Sequence, residues 1–245
     1  MIKVTILYDN LVIPPNVVVP GKTLYDLEGR HGFSAYIELG EKTVLFDTGW
    51  NGIALMKNAK ILGKDLSKID AMVISHAHWD HMGGIPVLLE KFKISEIYLP
   101  HGFSNHQTKE IEQMLDDPFI QRIQSYQKLT QISDNIASTG TLKGDPIDEQ
   151  SLIIRSNVSD EVLLLLGCAH AGLKRPLRIA RKKFDHVTTI CGGLHSFKNQ
   201  SLLENYVKIG LKKAYIGHCT QHYDIFENVP EIELKRLYTG FHFKI

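Results

Sequence analysis

The segment Ser75-His76-Ala77-His78-Trp79-Asp80-His81-Met82-Gly83-Gly84 places three imidazoles and a carboxylate within six residues, between an apolar run and a glycine pair. His76 and His78 are two apart, so an extended backbone points both rings to one side, and Asp80 and His81 approach from the adjoining turn. Such nitrogen and oxygen donors suit divalent cations: borderline-soft Zn first, with Mn, Fe or Mg as alternatives. Gly83 and Gly84 let the chain fold tightly over the ligands and open the helix that follows. The plain alternative is a solvated polar loop. Against it stands the position, since the C-terminal end of a strand in an α/β sheet is where ligands bind.

Three further turns join an apolar run to a histidine: Gly167-Cys168-Ala169-His170, Cys191-Gly192-Gly193-Leu194-His195 and Gly217-His218-Cys219-Thr220. A single histidine of this kind is as often a core residue bonded to a backbone carbonyl. Three strand-to-histidine turns in succession favour His170 and His218 as ligands. Cys168, Cys191 and Cys219 adjoin the same turns, and buried, inert thiols are the favoured reading over metal contact. The other histidines read as surface residues, although His31 and His101 each precede Gly-Phe-Ser and could reach a substrate; Arg30, Lys174 and Arg175 could bind an anion.

The elements that must carry these residues alternate. Ile2, Val4 and Ile6, then residues 33–39 and 43–46, show the period-two pattern of strands. Ile53, Met56, Ala59 and Leu62 recur at helical spacing, and 71–74 reads as a buried strand ending at His76. A helix is predicted over 85–92, a strand over 96–99, and a lid or helical insertion around 101–131 with a helix near 108–115. Strands at 151–155, 162–166, 187–190 and 214–216 then alternate with helices at 176–183 and 202–211. The class is mixed α/β. No linker, repeat or low-complexity run divides residues 1–245, so a single domain is expected.

Composition narrows the function classes. With 28 Lys and Arg against 27 Asp and Glu, the chain has no net field strong enough to make a polyanion its default partner, so no nucleic-acid partner is expected. No apolar run is long enough for a membrane span and no secretory leader is visible at the N-terminus, so no membrane partner and a cytoplasmic location are expected. Three cysteines without a CxxC pair argue against both a disulfide framework and a zinc ribbon. Neither a GxSxG nucleophile elbow nor a phosphate loop ending in GK[ST] is present.

HAHWDHMGG resembles the HxHxDH signature of the metallo-β-lactamase superfamily, and the resemblance implies an αββα four-layer sandwich and two divalent metal ions. His76, His78 and His170 would hold one ion, and Asp80, His81 and His218 the other. Asp47, in Phe46-Asp47-Thr48-Gly49, would sit beneath the metals and bond their ligands, as carboxylates behind metal-bound imidazoles do. Most members carry a bridging Asp near residue 195, yet 188–197 contains no carboxylate. His195 would take its place as a ligand or stand behind the ligands. The GCAHAG, CGGLHSF and GHCT turns, together with Arg30-His31-Gly32-Phe33-Ser34 and Ser138-Thr139-Gly140, resemble a narrower group that includes a dihydropterin ribofuranosyl-aminobenzene phosphate synthase.

The expected activity is hydrolysis, since two divalent ions lower the pKa of a nearby water to about 7 and polarise a carbonyl or phosphoryl oxygen. Asp80 would be ligand and proton acceptor, and the substrate a small, anionic, phosphate-bearing molecule. A synthase-like transferase and a non-catalytic metal-binding protein are the alternatives.

Overall fold

The computed structural model describes residues 1–12, 26–40, 42–94, 96–114, 119–123 and 128–245. Its contacts divide the chain into two compact units: residues 2–122 with 238–244, and residues 123–237 with Met1 and Ile245.

The first unit contains β1 (Ile2–Tyr8), β2 (Ser34–Leu39), β3 (Lys42–Phe46), α1 (Gly52–Leu62), β4 (Ala71–Val73), α2 (Trp79–Met82), α3 (Ile85–Lys91), β5 (Glu96–Pro100), α4 (Asn105–Gln113) and β6 (Phe119–Ile123), and recruits the C-terminal β14 (His242–Lys244). Its sheet runs β14-β1-β2-β3-β4-β5-β6. β1, β2 and β3 pair antiparallel, whereas β3, β4 and β5 are parallel, so Phe46 and Val73 end on the same edge. The residues after them, Asp47 and Ser75-His76, emerge together for that reason. Leu55, Ala59 and Leu62 of α1, Leu88 and Leu89 of α3, and Ile111 of α4 pack on Leu7, Leu45, Met72, Ile97 and Leu99 of the strands. Of the helical spacing read from Ile53, Met56, Ala59 and Leu62, Ala59 and Leu62 lie on this packed face, Met56 is partly buried and Ile53 is exposed, because the buried stripe runs through Ala54, Leu55, Ala59 and Leu62. Asn51 caps α1 by accepting from the Ile53 and Ala54 amides, which otherwise have no partner in the first turn.

The second unit contains β7 (Thr130–Ser133), β8 (Ile136–Ser138), β9 (Leu152–Arg155), β10 (Val162–Leu166), α5 (Lys174–Phe184), β11 (Thr189–Gly193), α6 (Gln200–Val207), β12 (Lys213–Gly217), α7 (Asp224–Glu227) and β13 (Glu233–Arg236). Its sheet runs β13-β12-β11-β10-β9-β8-β7. β10, β11 and β12 are parallel, so their C-terminal ends share one edge, where the turns bearing His170, His195 and His218 begin. Leu177 and Ala180 of α5, Leu203 and Tyr206 of α6 and Phe226 of α7 cover Leu164, Ile190, Ala214 and Ile216. All five residues of β10 are buried, which is why that strand is continuously apolar and not alternating.

The expected α/β class holds, with two mixed sheets and packed helices. Of the stretch 101–131, α4, β6 and the start of β7 are described; residue 115, the end of the predicted helix, lies outside the described residues, as do 116–118 and 124–127. Among the described residues no helix is long and apolar enough to cross a membrane.

Candidate metal centre

In the first unit the chain leaves β4, passes through Ser75 and His76, bends at Ala77, and after His78 turns into α2, which carries Asp80 and His81. His78 is the residue before α2, with φ −85° and ψ 144°, and its carbonyl accepts from the His81 and Met82 amides. His76 and His81 are fully buried, and His78 and Asp80 are partly exposed. His76 Nε2 lies 3.0 Å from His78 Nδ1, and His81 Nε2 lies 3.5 Å from Asp80 Oδ2. A tetrahedral ion with metal–nitrogen bonds of roughly 2.0–2.1 Å sets its ligand atoms roughly 3.3–3.4 Å apart. Both pairs are close to that spacing, so the donors fit divalent cations in chemistry and in separation.

Behind the donors runs a continuous hydrogen-bonded chain. Asp47, fully buried, accepts from the Ser75 amide at 2.6 Å through Oδ1, and Oδ2 accepts from Ser75 Oγ and His81 Nδ1, both at 2.7 Å. Ser75 Oγ lies 2.9 Å from His76 Nδ1. One arrangement satisfies all of these contacts: His76 Nδ1–H donates to Ser75 Oγ, whose proton goes to Asp47, and His81 Nδ1–H donates to Asp47 as well. The Nε2 lone pairs of both imidazoles are then left facing the other donors. Asp47 adopts φ +58°, a left-handed conformation uncommon outside Gly, Asn and Asp, and Ser34 Oγ donates to its carbonyl at 2.7 Å.

The neighbouring loops brace this arrangement. The Thr48 amide and Oγ1 both donate to the His81 carbonyl, at 2.7 and 3.0 Å, and the Gly84 amide donates to Thr48 Oγ1 at 3.1 Å. A Cβ on Gly83 would lie 2.4 Å from the Trp50 carbonyl oxygen, and one on Gly84 2.6 Å from that of Thr48, so the glycine pair is needed for close approach. His31, read from sequence as a residue that could reach a substrate, lies with Nε2 3.1 Å from Asp80 Oδ2 and is exposed. Arg30 pairs with Glu28 at 2.7 Å. His106 pairs with Glu110, and His186 with Asp160.

In the second unit, His170 follows β10, His195 follows β11 and His218 follows β12. The His170 and His195 rings lie 5.2 Å apart between centroids, His195 is exposed, and His218 is buried. Ala169, His195 and His218 all have positive φ, at 58°, 28° and 49°. Glu149, a residue the sequence reading missed, organises the first of these turns. Its carboxylate, in a residue 2% exposed, accepts from three successive amides: Cys168 at 2.7 Å, Ala169 at 3.1 Å and His170 at 2.5 Å. The signal lay in the register, because Leu152 pairs with Leu165 in the antiparallel β9–β10 ladder, and counting outward sets 149 against 168.

The cysteines divide. Cys191 is buried within β11. Cys168 and Cys219 instead meet at the sheet edge, with their sulfurs 3.2 Å apart, and Cys219 Sγ accepts from the His195 amide at 3.3 Å. The contact with Cys168 is the largest influence on the Cys219 thiol and, with nearby His218 and the His195 amide, brings it down to about 5 against the opposing effect of burial.

Comparison with known proteins agrees with these features. The chain is 26% identical to the 7,8-dihydropterin-6-methyl-4-(beta-D-ribofuranosyl)-aminobenzene-5'-phosphate synthase of Methanocaldococcus jannaschii, over 86% of this chain and 88% of that protein. A crystal structure of a metal-dependent hydrolase of the β-lactamase superfamily superposes with a TM-score of 0.74 at 23% identity, covering 100% of this chain and 99% of the other. A diphosphatase of the PhnP family shares the fold at a TM-score of 0.62 and 14% identity, covering 100% and 98%. The family model of the metallo-beta-lactamase superfamily matches residues 27–167, more than half of the sequence. The chain belongs to the metallo-β-lactamase superfamily and has its fold.

Proposed function

We propose that the protein is a metal-dependent hydrolase with a dinuclear site, Zn being the first choice of metal, acting on a small, anionic, phosphate-bearing substrate. The observation that carries the proposal is the pairing of donors, His76 Nε2 with His78 Nδ1 and His81 Nε2 with Asp80 Oδ2, backed by Asp47. In this proposal residues 1–245 act as one metallo-β-lactamase-like domain, and His170, His195 and His218 complete the ligand set, an assignment that rests on the family resemblance. When bound, the ions would supply hydroxide near neutral pH and polarise the substrate oxygen under attack.

The chain's own residues supply orientation and proton transfer. Asp47, directly and through Ser75, holds the ring protons of His81 and His76 on Nδ1, which keeps both Nε2 lone pairs available. Asp80 takes up the proton that hydrolysis releases. His31, with its side chain 63% exposed and Nε2 3.1 Å from Asp80 Oδ2, is placed to pass that proton to solvent.

A transferase is the second reading, favoured by the similarity to the dihydropterin synthase over 86% of this chain. The test is to offer metal-reconstituted protein phosphodiesters, thioesters, lactones and a pterin diphosphate, each with and without a ribofuranosyl-aminobenzene acceptor. Hydrolysis of one class that is lost on chelation and in His81→Ala supports the proposal. Consumption of the pterin diphosphate only with the acceptor present supports the transferase, and no turnover of any class supports a metal-binding protein without catalysis.

A further inference from the structure

Two of the cysteines occupy an arrangement that a buried, inert thiol does not require. Cys168 follows β10 and Cys219 follows β12, and β11 lies between those strands in the sheet. Neighbouring strands are separated by about 4.8 Å, so the two turns start roughly 10 Å apart. Their sulfurs nevertheless stand 3.2 Å from each other, and a ring nitrogen of His218 joins them, with the three donor atoms all within 4.8 Å of one another. The approach crosses the end of β11, where a side chain would obstruct it. A Cβ on Gly193 would lie 2.7 Å from Cys219 Sγ and 3.2 Å from His218 Cδ2. Cys168 and His218 are buried, and Cys219 is partly exposed, which leaves an approach from solvent on one side.

We propose that Cys168, His218 and Cys219 form a sulfur-rich binding site for a thiophilic divalent cation such as Zn2+, built entirely within the second unit. Two thiolates and an imidazole are a donor set that soft and borderline-soft ions prefer over Mg2+ or Ca2+. Metal–sulfur bonds of about 2.3 Å would set the sulfurs about 3.8 Å apart, so binding opens the present contact by roughly half an ångström. Both thiol protons leave to solvent as the two metal–sulfur bonds form, and no electron is transferred. The site goes beyond the hydrolase reading, needs no residue of the first unit, and shares only His218 with it.

Co2+ titration of metal-free protein tests the proposal, because cobalt bound by thiolate absorbs intensely in the near ultraviolet through sulfur-to-metal charge transfer, whereas cobalt held by imidazole and carboxylate does not. The wild-type protein is expected to develop this band, its final intensity matching one thiolate-bound ion per chain. Cys168→Ser and Cys219→Ser should each lose most of it, and Cys191→Ser should keep it. His76→Ala should also keep it, which separates this site from failure of the proposed hydrolytic centre. Co2+ bound by the wild type with no charge-transfer band would overturn the proposal without recourse to any variant. So would a band that survives both serine substitutions, or one that disappears in His76→Ala while that variant retains its far-ultraviolet circular dichroism.

Discussion

Replacing Asp47 by Asn changes one atom and should uncouple the metal ligands while leaving the backbone intact. Asn tolerates the φ of +58° found at this position, so the exchange isolates hydrogen-bond polarity. In the native protein Oδ1 accepts from the Ser75 amide, and Oδ2 accepts from both Ser75 Oγ and His81 Nδ1. An amide can keep its oxygen on the Ser75 amide, but its NH2 group then faces two groups that were donors. His81 must move its proton to Nε2 to accept from the amide, and that removes the lone pair facing Asp80. Losing a partner behind a metal-bound imidazole typically weakens metal affinity about 10- to 100-fold, or about 1.4–2.7 kcal/mol. Rearranging a fully buried network should also cost the metal-free fold about 1–3 kcal/mol, which for a chain of this size is a fall in melting temperature of roughly 2–4 °C per kcal/mol. Asp47→Ala, which leaves buried donors unpaired, should cost the fold more, about 3–5 kcal/mol. Isothermal titration of metal-free wild type and Asp47→Asn with Zn2+, alongside calorimetric melting, reads both effects. Unchanged affinity for every bound ion in Asp47→Asn would refute the argument that this carboxylate sets the imidazole tautomers.

Glu149→Gln should lower stability by about 2–3 kcal/mol, because one amide oxygen replaces a carboxylate that caps three successive N–H groups, and a denaturant melt would show it. Gly83→Ala should destabilise by about 1–3 kcal/mol, since the added methyl meets the backbone oxygens of Trp50 and Trp79 at 2.4 and 2.7 Å; a variant as stable as wild type would count against the close packing of α2. Metal affinity should fall as the pH drops below about 6, because protons compete for imidazoles whose ordinary pKa is about 6.5, and titrations between about pH 5 and 8 would reveal a flat profile if carboxylates dominated instead. Two unequal metal affinities are expected with a neutral imidazole at residue 195 in place of a bridging carboxylate, and His195→Asp should narrow the gap in a calorimetric titration.

The donors of the first unit were legible because they are contiguous: a six-residue segment fixes its own spacing, and the apolar run before it marks the strand end. The parallel strands of the second unit were legible for a related reason, since the apolar runs of β10, β11 and β12 each lead into a glycine with a histidine one to three residues beyond it. Edge strands were not. Glu233–Arg236 is largely exposed and reads as a charged loop, and it becomes a strand only through pairing with β12. Glu149 and the Cys168–Cys219 contact were hidden because their partners lie 19–21 and 51 residues away in sequence, and only strand register brings such positions together. Asp47 could be placed behind the metals only through the family resemblance, because its turn by itself reads as an ordinary Asp turn.

The metal content of the purified protein tests the central claim most directly. Elemental analysis after exposure to excess Zn2+ and exhaustive desalting, done on Cys168→Ser protein so that the sulfur-rich site does not add to the count, should find two ions per chain, and one fewer when His81→Ala or His76→Ala is added. A Cys168→Ser protein that retains no divalent metal, or histidine variants that retain its full complement, would contradict it.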